Sequence, residues 1–87
     1  SDTDRERSDL YEVKAPISGM CYRAPGEAEP PFVEKGTRVK KGQTLMILEV
    51  MKMMNEITAP VDGVIEEILF ENEQKVEAGY LLFTLRQ

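Results

Sequence analysis

The fold class turns on ten residues, Gly63-Val64-Ile65-Glu66-Glu67-Ile68-Leu69-Phe70-Glu71-Asn72. Ile65, Ile68 and Leu69 suit one face of a helix and Glu66 and Glu67 its other face, while the same apolar content suits a strand. An internal repeat separates the two. Aligning residues 13–23 with 57–67 pairs Ala15, Pro16 and Gly19 with Ala59, Pro60 and Gly63. Aligning 31–49 with 68–86 pairs Glu34, Val39, Gly42, Leu45 and Leu48 with Glu71, Val76, Gly79, Leu82 and Leu85. These eight identities in thirty pairs exceed the roughly two expected by chance from average composition. The ambiguous segment then corresponds to a stretch containing Pro25, Pro30 and Pro31. A helix interior rejects proline, whose ring removes a donor and clashes with the preceding turn. Residues 63–72 therefore read as strand.

Outward from that segment, Pro and Gly interrupt the chain at short intervals from Tyr11 onward, leaving apolar runs of strand length. Residues 44–50 and 80–85 are the clearest strands, each preceded by a V-x-x-G turn, Val39 to Gly42 and Val76 to Gly79. The expected fold is all-β, two similar antiparallel halves packed face to face with inward side chains forming a shared core. Gly19, Gly42, Gly63 and Gly79 are expected to serve turn geometry, and Cys21 to be a small buried hydrophobe. The acidic and basic residues 1–9 read as a solvated tail or linker remnant, with one domain over 10–87.

Composition removes whole classes of chemistry. Eleven basic against sixteen acidic residues leave a net charge of −5, which repels a nucleic-acid backbone. No apolar run reaches the roughly 20 residues of a membrane-spanning helix. With no histidine and one cysteine, the chain lacks a Ser/His or Cys/His pair, a His-ligated metal site and an internal disulfide. No catalytic residue and no metal ligand set is expected. The cluster Lys35, Arg38, Lys40 and Lys41 reads as a solvated turn ahead of a contact for an acidic partner face.

Two features stand outside the repeat. Ala24, Pro25, Gly26, Glu27, Ala28, Glu29 and Pro30 have no counterpart in the second half, so they read as an inserted loop, stiffened by proline and projecting from the domain. Between the halves, residues 50–56 read as a hairpin with Met51 and Lys52 at its tip. Two-residue hairpin turns favour positive φ and therefore Asn-Gly, so Met-Lys is a costly choice made for another reason. Met51, Met53 and Met54 set flexible apolar side chains beside a charged tip. A protruding lysine ringed by soft apolar groups is placed to be recognised and acylated by another enzyme. Glu49, at the hairpin base, reads as an edge-facing strand carboxylate or as part of what a ligase recognises.

Glu49-Val50-Met51-Lys52-Met53-Met54, joined to the A-P-x-x-G repeats and the paired V-x-x-G turns, resembles the attachment motif of biotinyl domains over about residues 10–86. The inserted loop 24–30, preceded by Cys21-Tyr22-Arg23, resembles the thumb of the bacterial and plastid biotin carboxyl carrier proteins of acetyl-CoA carboxylase. Val50 stands where that bacterial subfamily commonly has alanine. The resemblance implies a hammerhead fold, a flattened β-barrel of two four-stranded antiparallel sheets, with biotin in amide linkage to Lys52 and with Met51, Met53 and Glu49 in the recognition motif. It further implies three partners: a biotin protein ligase, a biotin carboxylase that carboxylates biotin, and a carboxyltransferase that forms malonyl-CoA for fatty-acid synthesis. The carrier catalyses neither half-reaction. The isolated domain is expected to be monomeric, in the cytoplasm or, in a plant, the plastid stroma. Another acyl-CoA or keto-acid carboxylase, or a lipoyl carrier, remains an alternative; lipoyl domains typically show Asp-Lys-Ala where this chain has Met51-Lys52-Met53.

Overall fold

Between its glycine and proline breaks the chain forms eight strands in the computed structural model, which describes residues 10–87. They are β1 (Leu10–Lys14), β2 (Gly19–Tyr22), β3 (Arg38–Val39), β4 (Thr44–Val50), β5 (Met53–Thr58), β6 (Gly63–Ile68), β7 (Lys75–Val76) and β8 (Leu81–Arg86). All pairing is antiparallel, in two sheets ordered β1-β8-β6-β3 and β5-β4-β2-β7. The two four-stranded antiparallel sheets are those that the resemblance to biotinyl domains implies. The tail assigned to residues 1–9 lies outside the described residues.

Exchanging β1 to β4 with β5 to β8 converts one sheet order into the other, and the repeat extends to single hydrogen bonds. Cys21 N donates to Gln74 O at 2.8 Å and Ile65 N to Thr37 O at 2.9 Å, at equivalent places in the two halves. Ala15 N donates to Tyr80 O while Ala15 O accepts from Gly79 N; Ala59 does the same with Gln43 and Gly42. Each A-P-x-x-G alanine is thus clamped by a V-x-x-G turn, with its methyl group buried. Gly42 and Gly79 both sit at φ 90°, where a side chain would strain the backbone.

Three expectations change. The halves do not stack as separate sheets: each sheet takes two strands from each half, because every connection except β4–β5 carries the chain from one sheet to the other. The strand read over 63–72 stops at Ile68. There Leu69 N reaches across to Leu82 O at 2.9 Å, and Phe70 turns inward to meet the Phe83 ring edge-on, 5.3 Å between centroids. Gly19 and Gly63 are strand residues rather than turn residues. A Cβ on Gly19 would lie 2.6 Å from the Glu49 carbonyl oxygen, and one on Gly63 2.8 Å from that of Arg86. At both places a missing side chain lets one backbone approach another.

The core between the sheets is Val13, Cys21, Val39, Leu45, Met46, Leu48, Ile65, Val76, Leu82, Phe83 and Leu85, with Val33 and Phe70 supplied by loops. Cys21 is fully buried, and desolvation pushes its thiol up to about 11 from 9.0. A pKa raised on folding contributes stability that is present below the unfolded value and lost as pH climbs through the folded one. Folding stability should therefore decline between pH 9.0 and about pH 11. Urea titrations across that range should show a shallower decline for Cys21→Ala than for the unaltered chain.

Candidate functional site

Because every other connection crosses between sheets, β4–β5 is the only two-strand hairpin among the described residues. Val50 pairs with Met53, Glu49 with Met54 and Leu48 with Asn55, leaving Met51 and Lys52 as the two turn residues. Their φ values are 53° and 65°. Both lie in the left-handed region, the signature of a type I′ turn and the conformation that Asn-Gly adopts more easily. The turn is therefore strained at two residues, yet it leads into a regular ladder that holds it in place.

This geometry puts Lys52 at the tip, exposed, with no hydrogen bond or ion pair holding its Nζ among the described residues. Around it Met51 is 90% exposed, Met53 67% and Met54 60%. Core filling does not explain these methionines; Met46, the one fully inside, does that. Met51→Asn should raise stability by about 0.5 kcal/mol by relieving the positive φ, while slowing any enzyme that recognises Met51. A urea midpoint and a labelling rate measured on the same sample check both halves of that expectation.

The hairpin lies at the end of the molecule opposite the paired ends of β1 and β8. Lys14 ends β1, Gly19 begins β2 only five residues later, and Gly19 packs directly on Glu49 and Val50 at the hairpin base. Leu10 pairs with Arg86 at the far end. Arg38, Lys40 and Lys41 lie in and beside β3, which pairs with the start of β6 next to Arg86, so they are remote from Lys52. Lys35, in the turn that precedes β3, lies within electrostatic reach of Glu66 on β6.

Glu49 is not an edge residue. β4 is an interior strand, and Glu49 Oε1 accepts a hydrogen bond of 2.9 Å from the Tyr22 hydroxyl. That bond, helped by partial desolvation, holds the Tyr22 phenol above its ordinary range.

Residues 24–30 form an exposed loop outside both sheets. Its neck is narrow: Phe32 N donates to Arg23 O at 2.8 Å, Arg23 N to Asn72 Oδ1 at 2.9 Å, and Arg23 Nη2 to Val33 O at 3.2 Å. Inside the loop Glu29 N donates to Gly26 O at 3.1 Å. Between loop and sheet lies a cleft of about 460 Å³ whose walls include Tyr22, Pro25, Pro31, Ile47 and Met54. Met54 is two residues from Lys52, so loop and hairpin share one face. Tyr22 and Ile47 join the site through strand alternation about Cys21 and Leu48, a signal any pair of surface residues would give.

The sequence model of the family described as biotin-requiring enzymes matches residues 11–85. The chain is 51% identical over 74 residues to the biotin carboxyl carrier protein of acetyl-CoA carboxylase from Streptococcus pyogenes, covering 85% of this chain and 45% of that protein. It is 47% identical over 73 residues to the chloroplastic biotin carboxyl carrier protein of acetyl-CoA carboxylase 2 from Arabidopsis thaliana, covering 84% and 29%. It thus spans less than half the length of either relative. Among solved structures, a single-chain, multi-domain long-chain acyl-CoA carboxylase superposes with a TM-score of 0.77 at 22% identity, over 91% of this chain and 7% of that one, a likeness of fold. The family match takes in both halves of the repeat and the turn between them, and the chain belongs to the family of biotin-requiring enzymes.

Proposed function

We propose that Lys52 is the biotin attachment site, and that the domain is the biotin carboxyl carrier of an acetyl-CoA carboxylase. The observation that carries this reading is an exposed amine, unengaged among the described residues, on the β4–β5 hairpin of the sandwich and ringed by three exposed methionines. The two relatives described above carry the matching name. Attachment uses the Lys52 nitrogen as nucleophile: it attacks an activated biotinyl carboxyl, the amide C–N bond forms, the activating group leaves with its electron pair, and the nitrogen gives up a proton. Biotin, once attached, supplies a ring nitrogen that accepts and releases a carboxyl group.

The chain's own part is mechanical. The ladder beneath the turn fixes where the arm begins, and tethering raises the effective concentration of the cargo at each partner to the order of millimolar. No group of three or more His, Cys, Asp or Glu among the described residues is placed to hold a metal ion, and the carrier role asks for no catalytic residue. The partners are a biotin protein ligase, then a biotin carboxylase and a carboxyltransferase, in the cytoplasm or plastid stroma, with the isolated domain monomeric. Co-expression with a biotin ligase, followed by intact mass and peptide mapping, tests the assignment. One biotin on the peptide containing Lys52 supports it; a lipoyl mass, or label on another lysine, overturns it.

Residues 24–30 act as the thumb in this reading, beside the arm and over the cleft formed with Met54. Their neck is already closed by the Arg23–Phe32 hydrogen bond, and shortening a surface loop changes closure entropy only slightly. Joining Arg23 to Pro31 should therefore leave the melting temperature nearly unchanged, and should lower carboxyl transfer to acetyl-CoA in the reconstituted carboxylase severalfold. Unchanged transfer would remove the thumb from the mechanism.

A further inference from the structure

The six exposed large hydrophobic residues among the described residues are unevenly placed. The four most exposed, Met51, Met53, Met54 and Ile17 at 48%, all lie at the hairpin end. The other two are less exposed. Tyr80 donates its hydroxyl to Leu69 O at 2.6 Å, and Tyr11 pairs with Leu85 near the far end. Ile17 follows Pro16 in the bend that joins β1 to β2. On one side Ala15 is clamped by two backbone bonds to Gly79 and Tyr80. On the other Gly19 packs against Glu49 and Val50, directly below the Met51–Lys52 turn. The bend is therefore held from both sides, and Ile17 leaves it at the same end as Lys52.

The fold does not require that exposure. The same bend in the second half carries Val61, which is partly covered and stands beside the β3–β4 turn, where Lys41 N donates to Asp62 Oδ1 at 2.7 Å, and not beside the β4–β5 hairpin. An apolar side chain held in water on a rigid backbone is pre-paid for burial against a partner, because little conformational entropy remains to be lost. The neighbouring amine indicates which partner. An enzyme that acylates Nζ must approach to within the length of one lysine side chain, so its surface reaches the residues flanking the turn. Enzymes acting on the far ring of a tethered group meet it a full arm away.

We infer that Ile17, together with the methionines, forms the apolar surface by which the ligase that acylates Lys52 recognises this domain. This rests on the biotin-carrier reading. Ile17 is a recognition residue that touches the ligase and takes no part in the chemistry at Nζ.

The experiment follows biotin incorporation into the full 87-residue chain by a biotin protein ligase with biotin and ATP, read by intact mass over time at several chain concentrations. Ile17→Ser should raise KM so that kcat/KM falls about tenfold, the loss typical of removing an important contact from an interface, with kcat little changed. Ile17→Leu should restore the rate. Tyr11→Ser removes an apolar group of similar exposure at the other end, and should label like the unaltered chain. Unfolding of a variant would leave an unlabelled fraction at the end point, whereas lost recognition slows the approach to full labelling. Equal rates for Ile17→Ser and the unaltered chain, or an equal loss in Tyr11→Ser, overturn the inference while leaving Lys52 as the attachment site. Absence of label on the unaltered chain overturns the carrier reading and this inference together.

Discussion

Lys52→Arg should take biotin incorporation from complete to none and leave folding stability within about 0.5 kcal/mol, the usual range for an exposed substitution. Arginine keeps the charge and the length of the side chain, but its guanidinium stays protonated and delocalises its lone pairs, so it offers no nucleophile where a lysine amine does. The turn gives no reason for a stability change: Lys52 is exposed and its Nζ has no partner among the described residues. Avidin capture and intact mass, beside a thermal melt, decide it. Biotin persisting on the Lys52→Arg chain would mean that another of its lysines is the acceptor.

Gly19→Ala and Gly63→Ala should each cost about 3 kcal/mol, the upper part of the range for overpacking. A strand glycine with room around it would ordinarily gain about 0.5–1 kcal/mol on becoming alanine. Here the added methyl would meet carbonyl oxygens at 2.6 Å and 2.8 Å, and a backbone in a paired ladder cannot swing aside as a side chain can. A domain of this size has about 5–15 kcal/mol in total, so either change removes a large share. Gly26→Ala is the control, since its Cβ would meet only Glu29 Cγ, at an ordinary 3.5 Å. Urea denaturation of the three variants tests the contrast. Stability of Gly63→Ala equal to that of the unaltered chain would show that β6 and β8 can separate there at little cost. The two glycines should also differ in function. Gly19 presses on the base of the Lys52 hairpin, so its replacement should slow labelling of chains that remain folded; Gly63 lies at the far end and its replacement should not.

The lysine turn was legible before the structure because it broke a local rule. Met51-Lys52 occupies a turn that demands positive φ at both residues, and a sequence that accepts that strain does so for reasons other than folding. The methionines were legible on the same ground. Tyr22, Ile47 and Ile17 were not, because a half-exposed apolar or aromatic residue is ordinary on any protein surface. What distinguishes them is which other residues stand at the same end or on the same face.

Two glycine pairs show how far local logic reaches. Gly42 and Gly79 serve turns, as their place after V-x-x implies, and adopt φ 90°. Gly19 and Gly63 look the same in sequence, yet they answer to backbone from remote segments, Glu49 and Arg86. Glu49 is a third case: strand alternation places it outward, but its partner Tyr22 is twenty-seven residues away, and nothing local indicates that β4 is an interior strand.

By itself the sequence determined that the domain is all-β, that it is built twice over, where the strands read at 44–50 and 80–85 fall to within a residue, and which turn stands apart. Proline tolerance, glycine turns and apolar spacing act over a few residues and can be read from a few residues. Only the tertiary structure decided which strands pair, so that β1 lies beside β8 and each half gives two strands to each sheet. It also decided that the 24–30 loop, Met54 and the Lys52 turn share a face, and that Ile17 stands at the lysine end. Those relations join residues far apart in the chain, and they are set by the one arrangement in which both apolar faces are buried and the buried backbone of both sheets is hydrogen-bonded.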